Sequence, residues 1–147
     1  MNKWLVVGTD QRLLLAADLL NQAGHSCRYV AIDSFAEELQ QTLLAWQPDR
    51  IILPLLSMAQ PIPPTLLQRS SVLYTGQIAQ QWVDQLDEIG IHHRSYLLNE
   101  QFIWQNAQLT AEAFVHVFYA QTKRTIAGKH FYVAGLSRKH CIAYKLL

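Results

Sequence analysis

The chain has 147 residues, of which 50% are hydrophobic and 16% are charged, and its formal net charge at pH 7 is +1. This length fits one compact domain, and the near-neutral charge gives no reason to expect nucleic acid or an anionic membrane as a partner. No uninterrupted apolar run approaches the roughly 18 residues of a membrane span, and the N-terminus enters a strand pattern directly instead of a signal peptide. We therefore expect a cytoplasmic protein whose two cysteines, Cys27 and Cys141, stay reduced.

Short apolar runs alternate with helical patterns through the first half of the chain. Strands are predicted over residues 4–7, 27–32 and 50–53. A helix is predicted over residues 10–23 and ends at Gly24. A second helix is predicted to begin with a capping box formed by Ser34 and Glu37. Four of the five prolines lie within residues 54–64, which predicts an irregular loop there because proline suits neither a helix interior nor a central strand.

The second half continues the alternation. The patterns predict a strand over 72–74, a helix over 77–89 and a strand over 92–96. One helical turn over 102–106 and a long helix over 110–123 are predicted next. A linker over 125–129 then leads to an apolar strand over 131–134, which ends in a turn at Gly135.

Strands that alternate with helices of this length pair in parallel, because each crossover returns the chain in the same direction. The fold class predicted for residues 1–124 is therefore α/β, with a three-layer parallel sheet of the flavodoxin or Rossmann type. Residues 125–147 are predicted to form a linker and an incomplete nucleotide-binding domain, the βα stump of a second Rossmann domain.

The first strand ends in a turn where a ligand site is expected, because ligands of open α/β sheets bind beyond the carboxyl ends of the strands. Residues 8–12 read Gly-Thr-Asp-Gln-Arg and open a helix whose N-terminus offers N–H groups to an anion. Arg12 can add a bidentate contact to a carboxylate. The alternative is that Thr9 or Asp10 caps the helix while Arg12 is solvated.

Neither glycine turn carries a full dinucleotide fingerprint. The first turn has only the first of three glycines, although Asp33 follows the second strand where a ribose-binding acid belongs. In the second turn Gly135 is in place, but Ser137 and His140 stand where the other glycines are expected, and Arg138 is the residue that can still meet a phosphate.

Three other kinds of site are not supported. A phospho-receiver needs an aspartate at the end of the third strand, where this chain has Leu53 and Pro54. A cobalamin-binding motif does not follow the first strand. His92 and His93 are neighbours on a predicted strand and therefore point to opposite faces, so they do not form a metal site.

Together these motifs resemble the N-terminal domain of the A subunit of dipicolinate synthase. The turn at residues 8–12 is similar to the family's Gly-Gly-Asp-x-Arg, residues 51–54 to its Ile-Ile-Leu-Pro, and residues 74–76 to its aromatic-small-Gly step. Residues 106–113 resemble its Asn-x-x-Pro-Thr-x-Glu-Gly run, with the proline and the final glycine replaced. Residues 133–140 resemble its Val-x-Gly-x-Gly-Arg-x-Gly turn.

The resemblance implies an oxidoreductase that uses NADP and acts with a flavoprotein-like second subunit. Such an enzyme makes dipicolinate during sporulation from a cyclic dicarboxylate of the lysine pathway. The substrate-binding residues implied for this chain are Thr9, Asp10, Arg12, Asn106, Thr110 and Glu112, and the cofactor-binding residues are Gly135, Ser137 and Arg138.

Two interpretations stay open at this point. For Thr110 and Glu112, the alternative to a ligand role is local capping of the long helix. For the whole chain, we expect a truncated protein that is inactive alone and binds no cofactor, because the sequence stops inside the second fold. The alternative is a stand-alone module that binds a dicarboxylate or another protein, and a homo-oligomer is a further possibility.

Overall fold

The computed structural model describes residues 2–131, in two compact units that meet in the sequence between Tyr96 and Leu97. The elements of the first unit are β1 (Lys3–Val7), α1 (Gln11–Gln22), β2 (Ser26–Val30), α2 (Glu37–Trp46), β3 (Arg50–Ile52), β4 (Val72–Thr75), α3 (Gln80–Ile89) and β5 (His92–Ser95). The second unit contains α4 (Glu100–Thr122). The predicted domain span of residues 1–124 stays a prediction.

The first unit is built on one five-stranded sheet in which all neighbours are parallel, in the order β2-β1-β3-β4-β5. Helices flank this sheet, so the predicted α/β, Rossmann-like fold class is confirmed. β1 lies between β2 and β3, so the chain turns in opposite directions after β1 and after β2. The carboxyl ends of β1 and β3 therefore form the switch point where ligands of such sheets bind.

The core lies on the face of the sheet that α2 and α3 cover. Leu5, Ile51 and Leu73 are register partners on three adjacent strands, and each is at most 1% exposed. They form one cluster with residues of the two helices, including Leu39 and Trp82. Burial of a leucine or isoleucine contributes about 1.5–3 kcal/mol, so this row fixes the register of the central strands.

α2 begins differently from the prediction. It starts at Glu37 after Ala36, which provides no side-chain cap, so the predicted capping box is wrong. The Ser34 hydroxyl instead accepts a hydrogen bond from the main-chain N–H of Gln60 at 3.2 Å. The proline-containing loop returns past this segment and supplies that donor, so Ser34 joins the loop to the start of α2.

α4 is one continuous helix, whereas the sequence predicted a single turn and a separate helix from residue 110. Asn99 caps its start, where the side-chain oxygen accepts from the N–H of Phe102 at 2.9 Å. No proline or glycine lies within α4 to interrupt it. Leu109 occupies the position at which the dipicolinate synthase run Asn-x-x-Pro-Thr-x-Glu-Gly has proline. Phe131 packs edge-on against Phe118, 5.3 Å between ring centroids. The rest of the strand predicted over 131–134 and the turn at Gly135 lie outside the described residues.

Candidate functional site

The turn after β1 requires glycine at its first position. Gly8 has φ +137°, and a Cβ there would lie 2.4 Å from the Cδ1 atom of Leu13. The Tyr29 hydroxyl donates to the Gly8 carbonyl at 2.7 Å, which holds the turn against the neighbouring strand. The turn is therefore closely packed and delivers the next residues to the carboxyl edge of the sheet in a fixed position.

Asp10 caps α1 and also holds the side chain of Arg12. Its Oδ1 atom accepts from the Arg12 main-chain N–H at 2.8 Å, and the Arg12 guanidinium contributes Nε at 3.0 Å and Nη2, which lies 2.6 Å from Oδ2. These hydrogen bonds lower the pKa of Asp10 to about 2, and the same pairing raises the pKa of Arg12. The Arg12 side chain is nevertheless 66% exposed. Of the two alternatives left by the sequence, Asp10 does cap the helix, and Arg12 is ion-paired at the surface.

Asp33 joins the end of β2 to this turn. Its carboxylate accepts from the main-chain N–H of Thr9 at 3.0 Å and from the Thr9 hydroxyl. Its oxygens therefore bind groups of the protein where a ribose-binding acid would face a nucleotide. The Asp10 carboxylate accepts the Arg12 main-chain N–H at the N-terminus of α1, so that N–H is not open to the pyrophosphate of a dinucleotide.

Tyr96 belongs to the same edge, although the sequence did not single it out. Its hydroxyl donates to the Leu53 carbonyl, 3.1 Å away, just after β3. Burial raises the pKa of Tyr96 to about 12, while the charge of Arg12 acts in the opposite direction and that of Asp10 adds to the rise. The phenol is therefore protonated at neutral pH, within the electrostatic reach of Arg12. Its place at the carboxyl end of the predicted fifth strand, residues 92–96, was the signal available in the sequence.

The three candidate residues of the second unit lie inside α4, not at its start. The Thr110 hydroxyl donates to the Asn106 carbonyl one turn earlier at 2.8 Å, and Glu112 accepts from the Gln108 amide at 3.0 Å. The capping role considered for Thr110 and Glu112 is therefore wrong, because Asn99 supplies the cap well upstream of Thr110. The structure brings Asn106 and Thr110 together on this helix. In the first unit it brings the other three candidates, Thr9, Asp10 and Arg12, together in one turn.

The candidate cofactor residues Gly135, Ser137 and Arg138 lie outside the described part of the chain, as does Cys141. Cys27 is a free thiol whose pKa is raised by burial. Within residues 2–131 no group of three or more His, Cys, Asp and Glu side chains is placed to hold a metal ion. Over the same residues no helix has the length and apolar character needed to cross a membrane.

Comparison with known proteins gives a relationship at the level of structure and not of sequence. No protein-family model matches the chain, and no curated protein matches it. Among solved structures, the crystal structure of the A subunit of dipicolinate synthase from Bacillus halodurans matches with a TM-score of 0.66 and 15% sequence identity. The match covers 97% of this chain and 56% of the neighbour, so this chain spans little more than half of that protein. At this identity the likeness shows a shared α/β, Rossmann-like fold.

Proposed function

We propose that the first unit binds a small dicarboxylate through Arg12, as the substrate-binding part of a protein related to the A subunit of dipicolinate synthase. The observation that carries the proposal is the Arg12 guanidinium, which is held by Asp10 at the sheet's switch point while most of its surface stays in solvent. The structural likeness to the dipicolinate synthase protein over 97% of the chain supports the same assignment.

The guanidinium has one edge left for a ligand. Asp10 takes Nε and one N–H of Nη2, so Nη1 and the second N–H of Nη2 are the donors that suit an incoming carboxylate. Asp10 fixes the plane of the guanidinium, which lowers the entropy lost when the ligand binds. In this proposal Arg12 binds the ligand, and Thr9, Asp10 and Asp33 position it through the turn after β1.

The proposal extends to the activity that the resemblance implies. It would be an NADP-dependent oxidoreductase reaction in dipicolinate formation, carried out with a flavoprotein-like second subunit. Gly135, Ser137 and Arg138 would belong to the cofactor side, and Asn106, Thr110 and Glu112 to the substrate side. Because the proposed contact between Arg12 and a carboxylate involves none of the cofactor residues, we expect dicarboxylate binding to be independent of NADP(H).

Calorimetric titration with dipicolinate tests the proposal. The Arg12→Ala variant should bind at least about tenfold more weakly than the wild type, the equivalent of about 1.4 kcal/mol, because the charged ligand loses its bidentate partner. Arg69→Ala is the matched control, since Arg69 is an exposed arginine in the loop before β4. Equal binding by the wild type and Arg12→Ala, or no binding by the wild type, would remove the proposal.

A further inference from the structure

A separate pocket of about 350 Å³ opens between the loop after β3 and the first turns of α3. Its inner surface is formed by Leu53, Pro54 and Trp82, all of which are buried. The rim contains Leu56, Met58 and Pro61 on the loop side. Ligand pockets typically have volumes of about 300–1,000 Å³ and mostly apolar linings, so this pocket has the size for a small fused-ring molecule.

Hydrogen bonds hold the two walls of this pocket in place. The N–H of Gln77 donates to the Leu55 carbonyl at 2.8 Å, and the Ser57 hydroxyl donates to the Gln77 carbonyl at 3.1 Å. On the far side, the indole N–H of Trp82 donates to the Ile62 carbonyl at 2.8 Å. The loop and the helix are thus joined at several points, and a preformed pocket binds with a smaller loss of conformational entropy.

The pocket is mostly apolar, with three amide side chains and no charged group. None of its 12 lining residues is ionisable, and its polar side chains are the amides of Gln77, Gln81 and Gln85. Gln81 and Gln85 lie one turn apart on α3, so their amides share a face of the helix. Ala79 gives α3 no side-chain cap. The main-chain N–H groups of Trp82 and Val83 donate to the Ala79 carbonyl, which leaves those of Gln80 and Gln81 without a partner inside the helix.

This combination selects a class of ligand. An amide side chain presents a donor and an acceptor together, which matches the N–H and C=O of a lactam or an imide. The main-chain N–H groups of Gln80 and Gln81 suit a carbonyl oxygen, and the apolar inner surface suits a flat ring. A carboxylate would lose part of its hydration against the apolar inner surface and would gain no cationic side chain, so the neutral lactam is favoured.

We propose that this pocket binds an uncharged, planar heterocycle with a lactam or imide edge. This binding is independent of the carboxylate site at Arg12. The pocket would be a second small-molecule site, at the carboxyl ends of β3 and β4.

Two probes with nearly the same ring system test the proposal by calorimetry and ligand-detected NMR. We expect 2-quinolone, a neutral bicyclic lactam, to bind at least about tenfold more tightly than quinoline-2-carboxylate. Saturating dipicolinate should leave 2-quinolone binding unchanged. Absence of 2-quinolone binding, tighter binding of the carboxylate, or displacement by dipicolinate would overturn the proposal.

One variant tests the amide directly. Gln81→Glu keeps the shape of the side chain and adds a negative charge in the first turn of α3, where it favours the helix, so the variant should remain folded. We expect it to weaken 2-quinolone binding by at least about fivefold. Gln40→Glu, an exposed glutamine of α2, is the matched control and should bind as the wild type does. Equal affinities for Gln81→Glu and the wild type would contradict the assignment.

Discussion

The Tyr96 hydroxyl donates to the Leu53 carbonyl at 3.1 Å, and this bond ties the residue after β5 to the residue after β3, across β4. One side chain thus spans the carboxyl ends of three neighbouring strands. The charges of Arg12 and Asp10 also act on the Tyr96 hydroxyl. Tyr96 therefore interacts both with the end of β3 and with the candidate carboxylate site.

Tyr96→Phe should destabilise the protein by about 0.5–1.5 kcal/mol at neutral pH, because the Leu53 carbonyl loses its partner. The folded-state pKa of Tyr96 is raised from 10.0 to about 12, so folding favours the protonated phenol. Its contribution to stability is present below pH 10 and is lost as the pH rises toward 12. Urea unfolding of both proteins from about pH 7 to about pH 11.5 measures this, and the wild type should lose stability faster above about pH 10. Parallel pH profiles of the two proteins would contradict the assignment.

Asp10→Asn should tighten dipicolinate binding by about three- to tenfold, because it removes a negative charge that competes for the Arg12 guanidinium. Asparagine is as good an N-cap as aspartate, so α1 should remain intact. Calorimetry gives the affinity and circular dichroism the helix content. Weaker binding with unchanged helix content would mean that orientation of Arg12 by Asp10 matters more than the competing charge.

Gly76→Ala should destabilise the protein by about 2–3 kcal/mol, because overpacking against backbone is not relieved by a side-chain rotation. A Cβ on Gly76 would lie 2.3 Å from the Leu55 carbonyl oxygen and 2.5 Å from that of Pro54. Gly24→Ala is the comparison, since no atom lies within 4 Å of its Cβ and only its φ of +83° resists alanine, at about 1 kcal/mol. Chemical unfolding should rank Gly76→Ala as the less stable variant, and the reverse order would contradict the packing.

Ala79→Ser should stabilise the protein by about 0.5–1 kcal/mol, because it supplies the cap that α3 lacks. The same hydroxyl would accept from an N–H of the first turn and remove a donor from the pocket. Thermal unfolding should therefore show a higher melting temperature, while calorimetry should show weaker binding of 2-quinolone. A higher melting temperature with unchanged affinity would show that these N–H groups do not contact the ligand.

The fold class could be predicted from the sequence because it depends on local patterns. Buried strands such as β1 are short apolar runs, and Gly24 and Gly90 end helices in the left-handed conformation that glycine favours. Arg12 was placed correctly at the sheet edge for the same reason, since a residue that follows a parallel strand lies at its carboxyl end.

Features that depend on tertiary partners could not be predicted in this way. Ser34 bonds with Gln60, which lies 26 residues later, where a local capping box was expected. Tyr96 reaches Leu53 over 43 residues, and only the strand order makes that contact possible. The continuous α4 was missed for a different reason, because its interior Thr110 has a side chain that is also common at helix caps.

The location of the dicarboxylate is the central claim, and amide chemical-shift mapping tests it most directly. In proton–nitrogen correlation spectra of the labelled protein titrated with dipicolinate, the largest shifts should come from the amides of residues 9–13 and Asp33. The Arg12→Ala variant should abolish them at the same ligand concentration. Shifts confined to residues 54–61 and 77–85, or shifts that persist unchanged in Arg12→Ala, would contradict the carboxylate site at Arg12.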